Sequence, residues 1–176
     1  MELDLGSEKV SYVAWKAQKE TWDIDGNECK IKRFIIDPDS IKTGQGKLAA
    51  NTAPIWEWNP SPDIRTQLKE GFKKAFSIKI YLSDKYGAPE TGWREWTTNQ
   101  RASRDALQNI WKDIAANKKQ NQGKGAILDF TGTESIKYGD NAVTVPKLKL
   151  TGWVDMPKDN QPEPEPEPEL TDDLEF

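Results

Sequence analysis

Phe72-Lys-Lys-Ala-Phe-Ser-Ile-Lys-Ile-Tyr-Leu-Ser83 decides the fold class. Its even positions are Phe72, Lys74, Phe76, Ile78, Ile80 and Leu82, and its odd positions are Lys73, Ala75, Ser77, Lys79, Tyr81 and Ser83. Successive side chains of a strand point to opposite faces. Alternation sustained over this length therefore predicts a half-buried strand with one apolar face and one basic face bearing a tyrosine.

Downstream, Val143–Val154 alternates in the same way. Leu148, Leu150 and Val154 are expected on one face, and Lys147, Lys149 and Trp153 on the other. Pro146 has no backbone N–H, so this strand is expected to start at an edge or to carry a bulge there. Ala126–Lys137 reads as a further strand, joined to it through the turn Tyr138-Gly139-Asp140-Asn141. Between these strands and the opening stretch, Leu107, Ile110, Trp111 and Ile114 recur at helical spacing. They predict a helix over Ser103–Lys119, with Ser103 as N-cap and Lys118-Lys119 at the negative end of the dipole. Upstream, Val10–Gln18 and Glu28–Ile36 flank the hairpin turn Asp25-Gly26-Asn27. The inward face of the first of these strands stays open between Val13, Trp15, Ala17 and Val10, Tyr12, Ala14. A short helix is expected over Asp63–Lys69, after Pro60-Ser61-Pro62.

The resulting order is three strands, a helix, two strands. That order predicts a mainly β protein, a five-stranded OB-type Greek-key barrel with one helix between strands 3 and 4. An unrelated small β-sandwich with one helix is the alternative. Asp37–Gly71 and Lys85–Gln100 read as two insertions decorating the barrel.

A chain of 176 residues supports one domain, assigned to residues 1–158. Residues 159–176 read DNQPEPEPEPELTDDLEF, with eight acids and no base. The net charge of −4 thus divides into +4 for the body, twenty-five basic against twenty-one acidic residues, and −8 for the tail. The Pro-Glu run predicts an extended, disordered spacer that carries Leu170–Phe176 away from the body. Its tip, Asp172, Asp173, Leu174, Glu175 and Phe176, places an apolar ring beside a carboxylate. A small hydrophobic pocket ringed by Arg or Lys would grip that end.

With one cysteine, Cys29, the chain cannot build an intramolecular disulfide framework, and without histidine it lacks the commonest general base and metal ligand. We therefore expect no metal, no cofactor and no catalytic centre. Thr43-Gly44-Gln45-Gly46-Lys47 resembles a phosphate-cradling turn but lacks the spacing and the trailing Lys-Ser/Thr of a nucleotide-binding loop, and reads as a flexible loop. No apolar stretch is long enough for a membrane span and the acidic start does not suit a signal peptide, so the expected location is cytoplasmic.

Eight tryptophans exceed what one small core needs. Four stand in pairs in the two insertions, Trp56-Glu57-Trp58 and Trp93-Arg94-Glu95-Trp96. In an extended segment Trp56 and Trp58 share a side, about 7 Å apart. A base stacked on each such ring contributes ~1–3 kcal/mol whatever its identity. The other reading buries these rings as plugs over the barrel. Lys73, Lys79, Lys147 and Lys149 interleave with Tyr81 and Trp153. If their two strands are neighbours, the outer face is a basic groove floored with rings, suited to a single-stranded polyphosphate.

With the barrel order, the surface rings among lysines and an end reading Asp172-Asp-Leu-Glu-Phe176, the chain resembles bacterial and phage single-stranded DNA-binding proteins, and the phage type most. That resemblance implies a non-enzymatic protein that coats single-stranded DNA in replication, recombination or repair, in the host cytoplasm if it is a phage protein. It also implies that the tip recruits replication or recombination enzymes and modulates DNA binding. Two other readings are a carbohydrate-binding module, whose tryptophans would stack on sugar rings, and a phage structural or adaptor protein, whose tryptophan loops would bury against another subunit.

Overall fold

A computed structural model of the chain describes residues 10–158. Among these residues the fold is mainly β with one α-helix, and the strands form a single curled, open sheet. The strands are β1 (Tyr12–Lys16), β2 (Thr21–Ile24), β3 (Asn27–Cys29), β4 (Arg33–Lys47), β5 (Ile55–Trp58), β6 (Lys73–Leu82), β7 (Gly92–Thr98), β8 (Lys124–Tyr138) and β9 (Asn141–Asp155). Helix α1 (Arg101–Lys118) lies in the chain between β7 and β8. Across the sheet the order is β3-β2-β1-β7-β6-β4-β8-β9, with β5 paired to β4 outside that path.

Nine strands replace the five expected. The extra ones arise inside segments read as loops. β4 runs on to Lys47 and β5 follows it, both within the first insertion, while β7 occupies the second. Asp25 and Gly26 do make a tight turn, with φ of 49° and 87°, but it joins β2 to β3, and the strand Thr21–Ile24 was not anticipated. Residues 63–69 form no helix. Helix α1 starts two residues early, after Gln100, and Ser103 is buried in its first turn instead of capping it.

The core lies between the concave face of the sheet and α1, which contributes Ala102, Ala106, Leu107, Ile110 and Ile114. Its centre is a ring cluster. Trp22 meets Trp15, Trp96 and Phe34 edge-on at centroid distances of 5.1, 5.4 and 5.8 Å, and Phe76 lies 5.0 Å from Trp96. Aromatic edges carry partial positive charge and faces partial negative charge, so such T-shaped contacts add about 0.5–1.5 kcal/mol each beyond burial. At the open side of the curl the Trp15 indole donates to the Thr144 carbonyl at 3.0 Å, which ties β1 to the distal end of β9 by a side chain instead of a strand ladder.

Two irregularities decide what reaches the outer face. In β4 the register against β6 shifts between Asp37 and Lys42. There the Ser40 hydroxyl substitutes for ladder groups, accepting from Lys79 N at 2.8 Å and donating to Asp37 O at 2.7 Å. Before the shift β4 pairs with β8, and after it with β5, so the second half of β4 forms an arm with β5. In β9 the register against β8 shifts between Leu150 and Gly152, leaving Thr151 bulged. One extra residue reverses the alternation beyond it. Trp153 consequently pairs with Ala126 and packs towards the core, while Val154 joins the outer cluster of Ile35, Tyr81 and Ile127. The expected sharing of one face by Lys149 and Trp153 is overturned by that bulge.

Candidate nucleic-acid interface

The alternation of β6 held, but its odd face is not a uniform basic surface. Ala75, Ser77 and Tyr81 are buried, and only Lys73 and Lys79 are exposed among residues 73–81 of that face. Tyr81 is covered by Trp93, whose ring meets it at 5.4 Å and 64° and whose indole N–H donates to Pro157 O at 3.2 Å. Lys79 stands in register between Asp37 on β4 and Glu95 on β7, two carboxylates that offset its charge for an approaching phosphate. Lys147 and Lys149 are exposed, yet β4 and β8 separate their strand from β6, so the expected two-strand groove does not exist. Trp96 is fully buried. Residues three apart on a strand face opposite ways, so Trp93 and Trp96 cannot form one platform. The tip residues Asp172, Asp173, Leu174, Glu175 and Phe176 lie outside the described residues.

One sequence-predicted pair is brought together. Trp56 and Trp58 are half-buried on β5, their rings parallel to within 8° with centroids 5.6 Å apart. They face Gly46 and Gly44 of β4 across the ladder. A Cβ at Gly46 would strike the Trp56 ring, and one at Gly44 would strike the Glu57 carbonyl. Gly46 therefore lets the Trp56 indole lie against the backbone, a device by which an aromatic shields a strand glycine, while Gly44 admits the close approach of the β5 backbone. In the sequence alone these glycines read as part of a flexible loop. The missed signal is their spacing of two, which matches that of Trp56 and Trp58.

The same ladder supplies cations. Gly46 pairs with Lys73 and Gly44 with Ala75 of β6, while Lys42 pairs with Ser77 one step along. Paired residues share a face, so Lys42 and Lys73 flank the ring pair, and both are exposed. Glu57 falls on the opposite face, where Lys69 binds it at 2.5 Å. On that reverse side Gln45 accepts from Lys69 N and donates to Gln67 O, and Asn59 donates to Ile64 O and Thr66 Oγ1. These bonds pin residues 59–69 against the back of the arm.

No family model, curated protein or solved structure matches the chain. What the arm can do rests on its own chemistry. Two parallel indoles with lysines at their edge can stack flat rings and hold anions between them. The described residues contain no cluster of three or more acidic or cysteine ligands able to hold a metal, and no helix long and apolar enough to cross a membrane.

The two glycines give a test of the seating. Gly46→Ala is expected to displace the Trp56 ring, a movable side-chain end, with little loss of stability. Gly44→Ala is expected to push on the β5 backbone and cost about 1–3 kcal/mol. Thermal unfolding and the tryptophan emission maximum separate the two. A larger stability loss for Gly46→Ala than for Gly44→Ala would contradict the seating.

Proposed function

We propose that this chain is a non-enzymatic single-stranded DNA-binding protein that holds the strand across the β4–β5 arm. The observation that carries this reading is the parallel, partly exposed Trp56–Trp58 pair, in register with Gly46 and Gly44 and sharing their face with the exposed Lys42 and Lys73. Stacking accepts any base and lysine accepts any phosphate, so binding with little sequence preference follows. Duplex DNA keeps its bases stacked inside the helix and offers the indoles nothing. In this reading the curled sheet, with its helix before the last hairpin, is an elaborated OB-type barrel. The acidic tip, Asp172–Phe176, recruits replication or recombination enzymes in the cytoplasm.

The test is a titration with poly-dT and with a duplex of equal length, at several salt concentrations, followed by tryptophan fluorescence. Quenching by the single strand is expected to be partial, because Trp15, Trp22 and Trp96 are fully buried. Affinity should fall with salt at a log–log slope of about −0.7 for each phosphate contacted. No response to poly-dT, or an equal response to the duplex, would sink the reading.

A second reading has its own support on the same arm. Leu48, Ile55, Ile64 and Leu68 are each about half exposed. Apolar side chains grouped this way favour an adaptor that buries the arm against another protein subunit. Sedimentation of the isolated chain separates the two: a stable monomer that binds poly-dT supports the first, and obligate self-association without DNA binding supports the second.

A further inference from the structure

Where α1 begins, the chain is tied to the arm. The buried Asn99 donates from its side-chain amide to the Gly46 carbonyl at 3.0 Å. Gly46 is the residue in register with both Trp56 and Lys73. Arg101, the first residue of the helix, follows Asn99 by two positions, at most about 7 Å of extended chain. Arg101 and Arg104 both lie in the first turn, three apart, where side chains are neighbours on the helix surface.

Helix stability does not account for this pair. The first turn has no acidic residue, and Gln100 makes no side-chain cap. A cation there opposes the helix dipole, and like charges three apart repel. Arg101 is fixed in place by the β8–β9 hairpin. Its guanidinium sits 3.5 Å from the centroid of the Tyr138 ring, with the Asp105 carboxylate at 3.9 Å.

Arg104 is the less satisfied of the two. It is partly buried, yet its side chain makes no salt bridge or hydrogen bond among the described residues. Its Nε is buried without a partner, while the terminal Nη groups stay open to solvent. Burial lowers its pKa, Asp105 acts the other way, and Arg101 adds to the lowering; the group remains charged. A guanidinium that gives up hydration without gaining a carboxylate carries an electrostatic cost, which an anion reaching its Nη groups offsets. The planar fork of arginine matches phosphate oxygens two at a time.

We propose that Arg101 and Arg104 bind phosphate groups of the DNA strand as it leaves the Trp56–Trp58 pair past Lys73, so that the interface runs from the arm on to the start of α1. The inference rests on the single-stranded DNA reading and adds to it a second contact point and the path between the two. Tyr138 acts as a positioning residue, holding Arg101 ready before the strand arrives.

The experiment uses the full chain and oligo-dT of about 4 and about 16 nucleotides, the range of sites covered by single OB folds. Affinity is measured against salt concentration for the wild type, Arg101→Gln, Arg104→Met and the double variant. Lys112→Gln, at an exposed lysine further along the same helix, is the control. In the wild type the log–log salt slope should steepen from the short to the long oligomer by about 1.4, two phosphates at about 0.7 each. Each arginine substitution should remove about 0.7 of the long oligomer's slope and weaken its binding about tenfold at low salt. Binding of the short oligomer should not change, and neither should either affinity in Lys112→Gln. Arg104→Met keeps the apolar stem, so it should melt within a few degrees of the wild type.

Equal salt slopes for the two lengths in the wild type would overturn the site without recourse to any variant. So would an unchanged long-oligomer slope in folded Arg101→Gln and Arg104→Met. An equal loss in Lys112→Gln would reduce the effect to net charge and overturn the placement. In these three cases the arm reading stands. Binding of neither length would overturn the arm reading, and this site with it.

Discussion

Replacing Trp56 and Trp58 together by alanine is expected to weaken binding of a dye-labelled oligo-dT by at least about 30-fold, with a change in melting temperature of only a few degrees. The first figure follows from two stacked bases at about 1–3 kcal/mol each. The second follows from position. Both rings are only partly buried on the edge strand β5, where a cross-strand aromatic contact contributes about 0.2–1 kcal/mol. Because the rings touch in parallel, the single substitutions are expected not to sum to the double. Anisotropy of the labelled oligonucleotide is the right readout, since the substitutions themselves alter tryptophan fluorescence. Unchanged affinity in a folded double variant would remove the arm from the interface and, with it, the main support for the function proposed.

The arm was half legible in the sequence. A spacing of two between Trp56 and Trp58 requires that both face one way on any strand, and they do. The floor beneath them was not legible, because glycine disfavours strands on average and Gly44 and Gly46 read as part of a loop. Their role appears only when β5 is laid against β4. A similar argument applies to Trp93 and Trp96. Three residues apart, they must diverge on a strand, so the pair could not be two platforms side by side once Gly92–Thr98 proved to be β7. What hid that strand is that Arg94 shares the inward parity of Trp96, and an inward arginine spoils the apolar alternation that marks a strand.

The long strands Phe72–Ser83, Ala126–Lys137 and Val143–Val154 are legible because apolar side chains of each pack against the core, buried along most of β6 and largely only partly buried beyond Leu128 in β8 and in β9. Their relation to one another was not readable. Sheet order depends on non-local pairing, which puts β4 and β8 between the lysines of β6 and those of β9. Thr151 shows the limit most clearly. A bulge needs no special residue, yet it exchanged the faces of Trp153 and Val154 and removed a ring from the surface expected to carry it.

Trp96→Ala is expected to produce the opposite pattern from the arm variants, and the contrast tests the whole division of the tryptophans. Trp96 is 0% exposed, opposite Ile78 on β6 and beside Val13 on β1, with Trp22 at 5.4 Å, Phe76 at 5.0 Å and Phe34 at 6.5 Å around it. Truncating a buried tryptophan costs about 3–5 kcal/mol in lost transfer energy and residual cavity. That is a large share of the ~5–15 kcal/mol available to a domain. At this chain length each kcal/mol is worth about 2–4 °C, so the melting temperature should fall by about 6–20 °C. Affinity for oligo-dT, measured well below the new midpoint, should change little, because Trp96 touches neither the arm rings nor their lysines. A Trp96→Ala protein that melts like the wild type would mean that the ring cluster is not the centre of the core. One that keeps its fold but loses DNA binding would return Trp96 to the surface role first read for it. The two double-tryptophan motifs thus separate by one measurable rule: even spacing on an edge strand for binding, odd spacing on a central strand for the core.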